Sequence, residues 1–307
     1  MSGQQELVPF AIKSYRYLRL SIVVVVAALL ASVLLEVVSA GCWQESISAY
    51  YYTPTHSVFV GGLVAIGVAL IAVKGSTDLE DALLNVSGVL APVVAFVPTS
   101  PPQSTDVCAA TGFTSDDAKA LIDNNVLAFA IGGLVAIILT FCIGRFVKPS
   151  GEGTPDPREA EPRPNPKPLR IGLAISVALL VAGLAWYFGF RDSFLDHAHG
   201  GAAGVMFGIV AIVMMINAIT ARYRYRPYYW VLFAAMVLGV VVALVGKAID
   251  GDWRHPILVL EVCELVPFAV FWVLQTVEHW DGGVPTGEER KERNAAAPLT
   301  AAAAPPP

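Results

Sequence analysis

Eight stretches of the chain stay apolar for close to the ~20 residues that carry a helix across ~30 Å of hydrocarbon. They run over residues 17–40, 57–73, 82–97, 125–147, 169–190, 200–220, 228–247 and 256–277. The second and third are the shortest. None alternates polar with apolar residues as a barrel strand would. Backbone in lipid must satisfy its own hydrogen bonds, so helices are expected throughout. The fold class is therefore all-α, a polytopic transmembrane helix bundle of about eight spans. Composition agrees, with 55% hydrophobic and 15% charged residues, against roughly a quarter charged in a soluble domain.

Basic residues set the orientation. Of the 20 Lys and Arg, an inside N-terminus leaves only Lys119, Arg191, Lys247 and Arg254 outside. Every inner segment between spans then carries positive charge, which places both termini inside and the protein in the cell (cytoplasmic) membrane. The S-A-G-C at residues 39–42 faintly resembles a lipoprotein cleavage box. Ser39 stands where a bulky apolar residue is usual, and the run is longer than a signal core, so it is read as a first span. Residues 149–168 are a proline-rich cytoplasmic linker that forbids a packed core. They part a first membrane half (1–148, spans one to four) from a second (169–280, spans five to eight). Residues 281–307 read as a disordered cytoplasmic tail. G-G-L-V-A-I occurs at 61–66 and again at 132–137, and is read as chance recurrence rather than duplication.

Polar residues that could form a pocket gather near the outer span ends. The candidates are Glu36, Ser46, Ser48, His56, His197, His199, Glu261 and Glu264. Glu261 and Glu264 are three apart and share a helical face that continues through Phe268, Phe271 and Gln275. A charge at that depth costs about 2.5–3.5 kcal/mol at a helix centre, so it pairs, takes a proton or faces water. These glutamates serve either as glue between helices or as a functional site. Metal is not expected: H-A-H at 197–199 puts its rings on different faces, and H-E-x-x-H is absent. No cofactor is implied. Ser46 and Ser48 lack a G-x-S-x-G setting and are as well suited to capping a turn. Tyr50, Tyr51 and Tyr52 suit an interfacial aromatic belt. Cys42 and Cys108 both fall outside, where a disulfide is one of two open outcomes.

At the inner face, Thr77 with Glu80 fits a capping box opening the third span. Asn85 and Asn217 suit bridges between helices. Arg222, Arg224 and Arg226 suit contact with anionic lipid headgroups. The lipid bilayer is the expected partner and nucleic acid is not. A homo-oligomer or a membrane-protein partner is left open.

S-I-S-A-Y-Y-Y-T-x-x-x-x-V-F-V-G-G from Ser46, then Lys74-Gly75 and Asn85-x-x-Gly88, resembles a group of bacterial multi-pass membrane proteins to which no function attaches. The S-I-S and V-F elements bear a more distant likeness to six-span DRAM/Frag1-type membrane proteins. The likeness covers Ser46 to Pro98, and would imply lipid handling. The expected function is a non-enzymatic membrane protein, a small-solute or lipid transporter or a complex subunit. The alternative is an intramembrane hydrolase or lipid-modifying enzyme using the outer His/Glu/Asp cluster. The enzyme reading needs at least two of Ser46, His197, His199, Glu261 and Glu264 within hydrogen-bond or shared-ligand reach in a cavity. The transporter reading needs a broken helix or a polar midplane, with Gly200-Gly201 and Pro267 as the candidate breaks.

Overall fold

The structure is a computed structural model that describes residues 2–99, 108, 114–146 and 167–280. Most of the expected linker and all of the tail lie outside the described residues. Eight α-helices and no strand occur among those described: α1 (Ser2–Ala40), α2 (His56–Ala72), α3 (Asp78–Phe96), α4 (Ser115–Phe146), α5 (Lys167–Gly189), α6 (Arg191–Thr220), α7 (Arg226–Ile249) and α8 (Pro256–Glu278). Six are long and apolar enough to cross a membrane. His56–Ala72 and the stretch Ala174–Gly189 of α5 are apolar but shorter.

Local sequence sets the ends. Gly41, at φ +71°, terminates α1 in the left-handed conformation that glycine adopts without strain. Prolines open α7 and α8, where a missing N–H costs nothing. Thr77 caps α3, its hydroxyl accepting from the Glu80 N–H at 3.1 Å. The Glu80 carboxylate accepts from the Ser76 N–H at 3.0 Å, one residue beyond the cap N–H that the usual reciprocal arm reaches. Thr77→Ala is expected to cost about 1 kcal/mol of stability, read as a lower melting temperature of the purified protein in detergent.

α1 packs on α2, α2 on α3, α3 on α6, α6 on α7, α7 on α8, and α8 back on α1. These six helices close a ring. α4 and α5 pair with each other outside it, against α3 and α6. Buried residues recur at helical spacing on the ring's inner faces, as Ile22, Val26, Leu29 and Val33 on α1 and Phe59, Leu63, Ile66 and Leu70 on α2. α2 and α3 approach closely because Gly67 and Gly88 oppose each other; a Cβ at either would lie 2.7 Å from the other's carbonyl oxygen. In contrast, none of the apolar window of α4 is buried. Such a helix needs an apolar surrounding that the other described residues do not supply.

The sixth helix is longer than the 200–220 expected from hydropathy. It begins at Arg191, directly after a break at Phe190. Phe194, Ala198, Ala202 and Met206 bury one face at four-residue steps, while the other face carries the charges that hid the helix. Arg191 at its start pairs with Asp123 of α4 at 2.6 Å, and Tyr187 of α5 donates to the same carboxylate at 2.5 Å. That junction fastens the α4–α5 pair to the ring.

Candidate functional site

The segment between α1 and α2 closes one end of the ring. It holds a short 3-10 turn, Ser48–Tyr52. The expectation of an aromatic belt is not what the turn shows. Tyr50, Tyr51 and Tyr52 are buried, with Tyr51 edge-on to Tyr52, His56 and Phe59. Three rings on consecutive residues of a tight turn point in different directions, so the turn becomes a plug rather than a stripe. Burial pushes the Tyr52 hydroxyl well above its ordinary pKa, and it stays a donor, bonded to the Thr99 carbonyl at 2.5 Å. The Tyr50 hydroxyl accepts from the Gln44 N–H at 3.1 Å. Cys42 and Cys108 form a disulfide, with Cα atoms 6.0 Å apart. Gln44 reinforces it by donating to the Cys108 carbonyl at 2.7 Å.

Three of the eight candidate residues meet at this disulfide end. Ser48 Oγ lies 2.6 Å from Glu261 Oε1 and 2.8 Å from His199 Nε2. His199 Nδ1 lies 2.7 Å from the carbonyl oxygen of Val97, at the end of α3. The other oxygen of Glu261 accepts from the Ile47 N–H. Ser48 is 4% exposed and His199 5%. The chain of contacts thus joins the plug to α3, α6 and α8.

Proton counting defines what this chain can do. The Val97 carbonyl only accepts, so His199 Nδ1 carries a hydrogen. Two placements then satisfy every contact. In one, the imidazole is neutral, Ser48 donates to its bare Nε2, and a protonated Glu261 donates to Ser48. In the other, imidazolium donates to Ser48, which donates to the Glu261 carboxylate. The two states hold the same number of protons, shifted along the serine hydroxyl. In the first, Ser48 faces an imidazole positioned to take its proton, the arrangement that activates a serine nucleophile.

The remaining candidates stay outside this chain of contacts. Ser46 Oγ accepts from the Ala49 N–H at 3.0 Å, so it caps the turn. His56 contacts the Tyr51 carbonyl at 2.8 Å. His197 is exposed, its Nδ1 against the Ser193 carbonyl of its own helix. Glu36 is half-buried near the Tyr50 hydroxyl. Glu264 is 5% exposed, and its Oε2 has no hydrogen-bond partner among the described residues. No group of three or more His, Cys, Asp or Glu suited to a metal ion occurs among the described residues.

A second buried polar cluster lies at the opposite end of the ring, and the sequence reading treated its members only singly. Glu80 Oε1 accepts from Asn217 at 2.9 Å, and Asn217 accepts from Gln275 at 2.8 Å. Glu278 accepts from the Arg222 N–H at 2.7 Å and from the Tyr229 hydroxyl at 2.8 Å. Arg19 is 2% exposed and within electrostatic reach of both Glu80 and Glu278. Five helices of the ring meet there. Arg19 was the visible signal, a charge three residues inside an apolar run.

Between the clusters most inward side chains are apolar, except Ser87 of α3 and Glu264 of α8, which are buried there with Oγ and Oε2 lacking a hydrogen-bond partner among the described residues. Leu63, Ile66, Leu70, Met206, Val210 and Phe268 surround only a small void. α6 runs unbroken through Gly200-Gly201, and α8 through Pro267. The bundle is built like a multi-pass membrane protein, with long apolar helices and a Ser–His–Glu chain at one end. No known family model, curated protein or solved structure matches the chain.

Proposed function

We propose that this protein is an eight-span membrane enzyme that performs acyl transfer or ester hydrolysis at the outer face of the cell membrane. Ser48 is the nucleophile, His199 the general base, and Glu261 the residue that positions the serine. The contact of Ser48 with His199 at 2.8 Å carries the reading. Of the two functions expected from sequence, a transporter asks for a broken helix or polar midplane. The unbroken α6 and α8 favour the enzyme instead.

In the reaction, Ser48 Oγ attacks an ester carbonyl as its proton passes to His199 Nε2. His199 returns that proton to the departing alcohol. Water, or a second alcohol, then releases the acyl group by the same steps reversed. Because Ser48 is buried, substrate enters when the Ser48–Tyr52 turn shifts away from α6 or α8.

The orientation rests on the distribution of Lys and Arg. Both termini and the proline-rich linker face the cytoplasm, where Arg222, Arg224 and Arg226 meet anionic lipid headgroups. The distant likeness of the S-I-S and V-F elements to DRAM/Frag1-type proteins belongs to the same proposal, and eight helices depart from the six spans of that group.

Proteoliposomes of the full chain should hydrolyse a 4-nitrophenyl acyl ester above the background of empty vesicles. Absence of turnover over a range of acyl lengths would contradict the assignment. Tags on both termini should stay unlabelled in intact cells and become labelled on lysis; labelling of either from outside would overturn the orientation.

A further inference from the structure

The first two turns of α8 carry two working faces. Glu261 faces the plug and Ser48. On the neighbouring face, Leu258, Val259, Val262 and Cys263 join Trp43 and His255 around an open groove of about 390 Å³. That volume is within the range of small-molecule sites. Its walls are almost all carbon, the rings of Trp43 and His255 included.

The groove and the Ser48 segment are one piece of structure. The Leu258 N–H, in the groove wall, donates to the Glu45 carbonyl at 3.0 Å, three residues before Ser48. Glu45 also pairs with Arg254 at 3.6 Å, which ties the two segments that supply Trp43 and His255. Glu261 lies one turn along α8 from Leu258. The groove thus lies one turn of α8 from Glu261, and a chain seated between Trp43 and Val262 comes within reach of Ser48 once the Ser48–Tyr52 turn shifts.

We infer that this groove binds an acyl chain of a membrane phospholipid and presents its ester to Ser48. The inference names the substrate class of the site proposed above and rests on that reading. An aliphatic chain suits the groove because the walls offer it dispersion contacts and no hydrogen bonds. The groove also lies at about 3–11 Å along α8 from its first residue, the depth at which ester groups give way to hydrocarbon in a span that starts at the interface.

The test uses the full-length protein in phosphatidylcholine vesicles doped with a phosphatidylcholine that bears a diazirine on one acyl chain. After irradiation, mapped adducts should concentrate on Trp43, Val259, Val262 and Cys263, several-fold over the exposed Val241 and Leu244 of α7. Val262 is 38% exposed, so Val262→Trp fills the groove rather than the core. It should abolish groove adducts, leave α7 adducts unchanged, and depress turnover of long-chain esters while sparing a water-soluble short-chain ester. Reaction of Ser48 with a small fluorophosphonate should be unchanged. Equal adducts on both faces, or long-chain turnover untouched by Val262→Trp, would overturn the groove even with a reactive Ser48. Concentrated adducts with an unreactive Ser48 would overturn the enzyme reading and, with it, the substrate assignment.

Discussion

Ser48→Ala and His199→Ala are each expected to lower ester turnover by at least about 1,000-fold, with the double variant no worse than either single one. Groups that act as a unit in nucleophilic catalysis lose most of their effect when any one is removed. Without its hydroxyl, residue 48 has nothing to attack with. Without the imidazole, the proton of Ser48 has no receiver at 2.8 Å. Ser48→Ala also strands His199 Nε2 and Glu261 Oε1 in a buried place, at a cost of about 1–3 kcal/mol per unsatisfied group. Turnover is therefore compared among proteins whose melting curves show them folded. Ser48→Cys separates chemistry from packing, because a thiol keeps the bridge in outline and is itself a nucleophile. It should regain reactivity toward a thiol-directed ester analogue in the presence of His199 and lose it in His199→Ala. Glu261→Gln should lower turnover less than either, since an amide still bonds Ser48 but can hold only one of its two present contacts as acceptor. Additive losses in the double variant would show that Ser48 and His199 act separately.

The second large effect belongs to the opposite end of the ring. Glu278→Ala is expected to destabilise the protein by at least about 2 kcal/mol, because two donors lose their acceptor at about 1–3 kcal/mol each. The change removes the acceptor for the Arg222 N–H and the Tyr229 hydroxyl, and one of two carboxylates near Arg19. Glu278→Gln should cost less, because an amide oxygen still accepts one of those bonds. Arg19→Met should also destabilise, since Glu80 and Glu278 would lose the cation within their electrostatic reach. Denaturation in mild detergent, with helicity as the signal, measures all three. Ester turnover of each variant that remains folded should stay near that of the parent, as this cluster is far from Ser48: Glu261, which contacts Ser48, and Gln275 are about 21 Å apart along α8. A loss below about 1 kcal/mol for Glu278→Ala would mean that water reaches the cluster and screens it.

These two ends differ in how they could be read from the chain. The helices were legible because lipid demands long unbroken apolar runs, and all eight runs fall on helices. The start of α6 was not. Its first nine residues include Arg191, Asp192, Asp196 and His197, which lower the mean hydropathy, while the buried face at Phe194 and Ala198 is too narrow to offset them. At the disulfide end, Ser48, His199 and Glu261 stood among eight candidates. Nothing local singled them out, because the contacts span 151 and 213 residues of chain. Ser46 and Ser48 looked equivalent; the turn assigns one to capping and the other to the site. Glu80 was read correctly as a helix-start residue, and that reading concealed its second oxygen, which reaches Asn217. A carboxylate has more acceptor positions than any single motif uses, so a satisfied local pattern does not exhaust it.

Labelling of intact cells with a membrane-impermeant fluorophosphonate, followed by peptide mapping, tests at once that Ser48 is a base-activated nucleophile and that it faces outward. The predicted result is one adduct, on the peptide containing Ser48, formed before lysis and missing in His199→Ala. An adduct that appears only after lysis, one that persists undiminished in His199→Ala, or none on the folded wild-type protein would contradict the account.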